Sequence, residues 1–306
     1  MHTNVIPINS SRLALLANYL DRCPAAEKFY SDLDFGWIGA EGSQARSDRK
    51  YVGPVGAKPW ESRILAMTFS DASVFLSASA EAILAVSRLI TDPALGEKGF
   101  VGIDACCRAS IESAAKAYWI MDPSVTAHDR ACRGLLEHLH SALQAERLAK
   151  AMGWGQPVNE LGISEASSDL EAKLTELGVS ITWNRDRTIP TLDGITRPSI
   201  SSQITSLVHA TPYSGDKRMV YNLMSASAHA TLYGILRVYT PGEKTPAGES
   251  TLDRNLDHRI VESSVGVTLM SFLAALKRVV EVMGWNAWKV WTLENMAYRV
   301  IMEGPR

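Results

Sequence analysis

Three hydrogen-bonding side chains, Tyr221, Ser225 and His229, are spaced four residues apart in a segment otherwise rich in small and apolar residues. Residues four apart lie on the same face of a helix, so these side chains form a polar row. Burying such a row costs free energy unless each group finds a partner. The row therefore predicts either a hydrogen-bonded packing contact or the wall of a ligand pocket, in which His229 is a candidate acid or base.

A second row, Asp104, Arg108, Glu112 and Lys116, alternates in charge at the same spacing. One interpretation is a solvent-facing series of ion pairs. Apolar residues on the same helix favour partial burial of the two central members. We expect Arg108 and Glu112 to pair, to contribute to ligand binding, and to lie near the helix that carries Tyr221.

Two arginines, Arg130 and Arg133, lie near the start of the next predicted helix, and His140 falls close to the Arg133 direction at about 100° per residue. Guanidinium groups suit phosphates and carboxylates. We expect both arginines to bind an anionic ligand such as a nucleotide, a phosphate ester or RNA. His140, like His229, is a candidate catalytic acid or base.

Metal chemistry is a further alternative. Glu137 and His140 have the Glu-x-x-His spacing of di-iron helical bundles, although the sequence lacks the second such pair that those sites require. The four cysteines match neither a zinc-binding spacing nor a disulfide framework. We assign no metal ligand and no cofactor from the sequence.

The 306 residues have a formal charge of −2 and a pI near 6.4. This balance gives no overall attraction to nucleic acid or to anionic membranes, although a local basic patch could still bind RNA. We find no basic start followed by an apolar stretch, as in a signal peptide, and no apolar span of about 20 residues. The sequence predicts a soluble cytoplasmic protein without a membrane partner.

Helical periodicity dominates the chain. It predicts an all-α, multi-helix bundle in which residues 1–60 form an N-terminal helix and arm, and residues 61–306 form one helical domain. An irregular insertion of about 60 residues interrupts this domain at about 153–215. Within it, the segment from about 180 to 213, with Arg185, Arg187, Arg197 and three prolines, predicts a mobile lid or recognition loop over the pocket. The long helices are expected at about 61–89, 97–121, 124–152, 216–239, 252–283 and 286–302.

The strings Arg-Ala-Ser-Ile-Glu, Tyr-Trp-Ile-Met-Asp-Pro, Arg-Ala-Cys-Arg and Tyr-Asn-Leu-Met-Ser-Ala-Ser-Ala-His resemble a broad group of bacterial all-helical proteins. Their signature is an Arg-x3-Glu helix and a Tyr-x3-Ser-x3-His helix, and some are distantly related to HEPN and abortive-infection proteins. The resemblance implies a HEPN-like nuclease or a role in phage defence. It singles out Arg108, Glu112, Arg130, Arg133, Tyr221, Ser225 and His229.

The HEPN ribonuclease pattern Arg-x4-His fits Arg133 and His138 formally. On an unbroken helix these two side chains diverge by about 140°, whereas Arg133 and His140 share a face. Three functions remain open: an anion-binding pocket with or without catalysis, a non-enzymatic interaction or scaffold protein that could form a homodimer, and a metal-dependent oxidase.

Overall fold

The computed structural model describes residues 11–33, 39–49, 60–92, 100–152, 167–176, 178–185, 190–212, 221–222, 224–225, 239–244, 250–254 and 258–303. Helices dominate these residues, so the prediction of an all-α, multi-helix fold is confirmed. The helices are α1 (Ser11–Leu33), α2 (Gln44–Arg49), α3 (Trp60–Thr91), α4 (Phe100–Ile120), α5 (Ala127–Ala151), α6 (Ser167–Glu176), α7 (Ile200–His209), α8 (His258–Met283) and α9 (Trp288–Glu303). The strands are β1 (Ile181–Trp183), β2 (Pro190–Leu192), β3 (Ile195–Thr196), β4 (Tyr239–Lys244) and β5 (Ser250–Arg254).

Helix α4 lies at the centre of the packing and contacts α3, α5, α7 and α8. Its residues Ile103, Cys107 and Ile111 are fully buried. Helix α1 packs against α3, α8 and α9, and its Leu13 and Leu20 belong to the same hydrophobic core. The N-terminal helix therefore shares a core with the helices that follow it.

The sequence pattern predicts that the first helix ends near Asp21, but helix α1 continues through Pro24 to Leu33. Tyr30, one turn before the helix ends, is buried, stacks on Trp285 with ring centroids 5.7 Å apart, and donates a hydrogen bond to the Asn286 carbonyl at 2.7 Å. Tertiary packing thus overrides a local signal for termination.

The insertion is more regular than expected. Strands β1, β2 and β3 form an antiparallel sheet in that order. Asp193 and Gly194 have φ angles of +45° and +85° in the two-residue turn between β2 and β3. Because an Asp-Gly pair favours this kind of hairpin turn, the signal is present in the sequence. The expectation of irregular structure is therefore wrong for residues 190–196.

Helix α7 completes this part of the insertion. Its N-cap is Ser199, whose hydroxyl accepts a hydrogen bond from the Ser202 backbone N–H at 3.2 Å. Ile204, Leu207 and Val208 are buried, and the helix packs against α4. Buried apolar side chains thus anchor α7 to the fold, whereas the mobility of the predicted lid stays a prediction.

One helical segment, Ile64–Thr91 of α3, is long and apolar enough to cross a membrane by length and composition. This corrects the expectation that no such span exists. In the fold, α3 packs against α1, α4 and α5. The cytoplasmic location stays a prediction.

Helices α3 and α5 approach closely at Gly134, where a Cβ atom would lie 2.0 Å from Thr68 Oγ1. We expect Gly134→Ala to lower the free energy of unfolding by about 1–3 kcal/mol, because overpacking outweighs the better helix propensity of alanine. A urea titration measures this change.

Gly102→Ala on α4 is the matched control. There the nearest atom to a new Cβ is Leu89 Cδ1 at 3.4 Å, an ordinary contact, so the propensity gain should leave stability equal or higher. Equal urea midpoints for Gly134→Ala and the wild type would contradict the close approach.

Candidate functional site

Arg108, Glu112 and Tyr221 form one hydrogen-bonded cluster. Arg108 Nε donates to Glu112 Oε1 at 2.6 Å, and Tyr221 Oη donates to the same oxygen at 3.1 Å. The Arg108 and Glu112 side chains are 20% and 29% exposed to solvent. The predicted pairing and its proximity to Tyr221 are therefore confirmed, whereas ligand binding by these residues stays a prediction.

The electrostatics of this cluster favour a charged arginine and a neutral tyrosine. Burial opposes the charge on Arg108, yet hydrogen bonding to and attraction by Glu112 leave the pKa of Arg108 above its ordinary value. Burial and the Glu112 charge raise the pKa of Tyr221. Tyr221 thus remains a hydrogen-bond donor at neutral pH.

The other members of the two predicted rows differ in their surroundings. Asp104 is fully buried, so the row on α4 is not a solvent-facing series of ion pairs. Lys116 Nζ lies 5.0 Å from the centre of the Phe75 ring, in a cation–π contact. Ser225 is half-buried. His229 lies outside the described residues.

Arg130 lies in the core of the fold and not in the expected ligand pocket. Its side chain is fully buried, and Nε donates to Asp48 Oδ2 at 2.9 Å. Nη1 and Nη2 donate to the carbonyls of Ile120 and Asp122 at 2.8 and 3.0 Å. These contacts leave the guanidinium no access to a ligand from solvent, so the expected anion-binding role is corrected.

Arg133 occupies the same junction between α4 and α5. Its Nη1 donates to the Trp119 carbonyl and contacts Asp122 Oδ2 at 3.4 Å, and the guanidinium lies 5.2 Å from the Trp119 ring centre. Burial lowers the pKa of Arg133 in spite of Asp122. By helix rise, Trp119 is about 16 Å along α4 from Arg108. The three predicted arginines therefore do not share one pocket.

His140 lies in a different environment, half-buried on α5. Burial, followed by the positive charges of Arg197, Lys116 and Arg147, lowers the pKa of His140, and Glu137 only partly opposes this effect. These cations come from α4, from α5 and from the chain after β3. His140 is thus held neutral at pH 7 within a cationic cluster, which we call the His140 site: Lys116, His140, Arg147 and Arg197.

Glu137 anchors this cluster. Its side chain is 3% exposed and accepts two hydrogen bonds from Arg197, at 2.7 Å from Nε and 3.1 Å from Nη2. A bidentate guanidinium occupies the carboxylate, so Glu137 and His140 are not arranged as a pair of iron ligands. Among the described residues, convergent donor atoms belong instead to His128, Cys132 and Asp193.

Arg133 and His138, which fit the HEPN pattern formally, contact different parts of the fold, as their divergent directions on the helix predict. His138 Nε2 lies 2.8 Å from Asp71 Oδ2, whereas Arg133 contacts Trp119 and Asp122. Hydrogen bonding to Asp71 raises the pKa of His138. The two residues therefore serve separate contacts in the fold.

Sequence reasoning did not select Lys116, Arg147 and Arg197 as ligand-binding residues. Arg147 follows His140 by seven residues and so shares its face, and Arg197 was noted only as part of a lid. A shallow surface depression on α3, lined by residues including Glu81 and Asp92, contains none of the predicted site residues.

The buried pair of Arg130 and Asp48 predicts a specific pattern of stability. Burial raises the pKa of Asp48 even beside Arg130, which indicates a large desolvation cost. We expect Asp48→Ala to cost about 3–5 kcal/mol, because it leaves a buried guanidinium without its carboxylate. Adding Arg130→Met should recover only part of this loss in urea titrations, because it removes the unpaired charge but leaves the Ile120 and Asp122 carbonyls without their donor. A double variant as unstable as the sum of the single variants would contradict this account.

Family models, curated proteins and solved structures were each compared with the chain, and none of the three comparisons gives a match.

Proposed function

We propose that this protein binds an anionic ligand of the phosphate-ester class at the His140 site. The observation that carries the proposal is that three cationic side chains, from three different parts of the fold, lie near enough to the half-buried His140 to lower its pKa. An isolated ion pair on the surface would need only one cation, whereas three act on His140. Phosphate oxygens are suitable partners for such a group of cations.

The charge balance of the site leaves positive charge for a ligand. Arg197 is paired with Glu137, so this arginine serves mainly to hold its neighbours in place. Lys116 is half-buried against Phe75, and Arg147 is exposed. These two side chains are the ones that we expect to contact a phosphate directly.

The Arg108 cluster extends the site along α4. Glu112 precedes Lys116 by four residues, or about 6 Å of helix rise on the same face. Glu112 and Tyr221 offer an acceptor and a hydroxyl beside the cationic region. This combination suits a ligand that carries hydroxyl groups next to its phosphate, as a ribonucleotide or RNA does.

Catalysis is a narrower form of the proposal. Neutral His140 is in the protonation state of a general base, and the neighbouring cations would stabilise negative charge that develops on a phosphate. A HEPN-like nuclease would use Arg133 with His138 or His140, but Arg133 is bound to Trp119 and Asp122. The structural support therefore favours anion binding over that particular mechanism.

Titration of the protein with a fluorescent single-stranded RNA octamer and with ADP tests the proposal. We expect Lys116→Gln and Arg147→Gln each to weaken binding roughly tenfold, because a hydrogen bond to a charged group contributes about 1.5–3 kcal/mol. Arg299→Gln, at an exposed position on α9, is the charge-matched control and should bind like the wild type. Equal losses in all three variants, or no binding by the wild type, would overturn the proposal.

The pH dependence provides a second readout within the same titration. A bound anion favours the imidazolium form and raises the pKa of His140, so binding takes up a proton. RNA affinity should therefore increase as the pH falls from about 7 towards 5. His140→Gln should remove much of this dependence.

A second candidate function, a non-enzymatic interaction protein, is favoured by α9. Trp288, Trp291, Tyr298 and Met302 lie on one face of this helix and are 53%, 54%, 38% and 46% exposed. Exposed apolar rows of this kind commonly mark protein interfaces. The homodimer expected from the sequence would use this row.

Sedimentation velocity distinguishes the second candidate. If α9 forms a homodimer, the double substitution Trp288→Ser and Trp291→Ser should convert the dimer to a monomer without loss of helical content, since both side chains are already half-exposed. A monomeric wild type, or a dimer unaffected by the substitutions, would count against this interface.

A further inference from the structure

His128 and Cys132 lie one turn apart at the start of α5, an i to i+4 pair on the same face of the helix. His128 Nε2 and Cys132 Sγ are 3.7 Å apart. Cys132 is fully buried, whereas the His128 side chain is 31% exposed. The helix therefore presents a nitrogen and a sulfur donor together, at the boundary between core and solvent.

Asp193 brings an oxygen donor to this pair from the turn between β2 and β3. Its Oδ2 is 3.4 Å from His128 Nε2, and the donor atoms of all three residues lie within 4.8 Å of one another. The other carboxylate oxygen, Oδ1, accepts a hydrogen bond from the Ser180 backbone N–H at 2.8 Å. The carboxylate is thus oriented by the backbone, as metal-binding carboxylates commonly are.

We propose that His128, Cys132 and Asp193 form a Zn²⁺ site with water as the fourth ligand. Tetrahedral zinc holds sulfur at about 2.3 Å and nitrogen or oxygen at about 2.0 Å, which places the donor atoms about 3.3–3.6 Å from one another. The distances of 3.7 Å and 3.4 Å to His128 Nε2 are close to this requirement. Only small side-chain adjustments would be needed.

The donor set selects the class of metal. A thiolate with an imidazole suits zinc, whereas magnesium and calcium require oxygen ligands. The Asp193 side chain is 20% exposed, so the solvent side of the site lies with His128 and Asp193, opposite the buried sulfur. A water ligand would approach from that side.

Metal binding at this site is a ligand exchange without oxidation or reduction. The Cys132 thiol loses its proton to solvent as the sulfur–zinc bond forms. The His128 imidazole donates the lone pair of Nε2, and Asp193 donates through its carboxylate. At neutral pH, each zinc ion bound should therefore release up to one proton from the cysteine.

The fold holds the three donors in place before any metal binds. Leu192, next to Asp193, is fully buried, and strands β2 and β3 pack against α5. The positive φ of Asp193 belongs to the tight turn, and its carboxylate lies against His128 of the helix. The zinc site does not depend on the anion-binding proposal, because it shares no residue with the His140 site.

Zinc titration of the full chain, purified without a histidine tag and treated with a chelator, tests the site. We expect one Zn²⁺ per chain and a higher unfolding temperature in the zinc-loaded protein. Substitution with Co²⁺ should give the near-ultraviolet charge-transfer absorption of a thiolate–cobalt bond. These readouts are independent of any activity.

The variants separate ligation from folding. Asp193→Asn preserves the turn and an acceptor for Ser180, since asparagine tolerates positive φ. It should weaken zinc binding roughly tenfold or more, because zinc in proteins takes its oxygen ligand from a carboxylate and not from a neutral amide. Cys132→Ser should abolish the charge-transfer band. Cys106→Ser, at a half-buried cysteine on α4, is the matched control and should retain both properties.

Three outcomes would overturn the site: a wild type that binds no zinc, a cobalt spectrum without thiolate absorption, or Asp193→Asn binding zinc as tightly as the wild type. If Cys132→Ser unfolds, circular dichroism will show it, and the zinc affinity of Asp193→Asn still tests the site. Loss of the cobalt band in Cys106→Ser would place the thiolate elsewhere.

Discussion

The relation between α4 and α5 depends on one buried guanidinium. The last carbonyls of any helix lack partners within that helix and must be satisfied from outside. Arg130, from the first turn of α5, donates to Ile120 and Asp122 at the end of α4, and Asp48 of α2 balances its charge. Because the guanidinium is fully buried, its removal would leave polar groups without partners in the core. The junction of the three helices is therefore fixed by polar groups that have no alternative partner in solvent.

This junction sets the positions of the side chains that could perform chemistry. Helix α4 carries Arg108, Glu112 and Lys116 along one winding row, and α5 carries His140. A rotation of either helix by one residue would turn these groups by about 100°. Arg130 and Arg133 hold the helix ends, and the close approach at Gly134 fixes α5 against α3. The arginines that the sequence placed in the pocket thus help to orient it from a distance.

The sequence predicted the features that depend on local spacing. Helical periodicity located the long helices α3, α4, α5, α8 and α9, and the four-residue interval predicted the contact of Arg108 with Glu112. The helix expected at about 216–239 lies mostly outside the described residues, and the start of the helix expected at about 252 was wrong, because residues 252–254 belong to β5. Burial of Arg130 depends on Asp48, 82 residues earlier in the chain. A local sequence pattern cannot predict a contact between residues so far apart in sequence. The same reason hid Arg197, whose partner Glu137 is 60 residues away. The Asp193 turn is different, because its Asp-Gly signal is local and present in the sequence.

The hairpin that carries Asp193 also carries Arg197, and both residues contact α5. Asp193 lies in the turn before β3 and Arg197 directly follows β3, whereas His128 and Glu137, their partners on α5, are nine residues or about 13.5 Å of helix rise apart. The two contacts therefore hold both ends of β3 against α5. A shift of the hairpin by one residue would break both contacts at once. The presence of Arg197 beside His140 thus depends on the same register that brings Asp193 to His128 and Cys132.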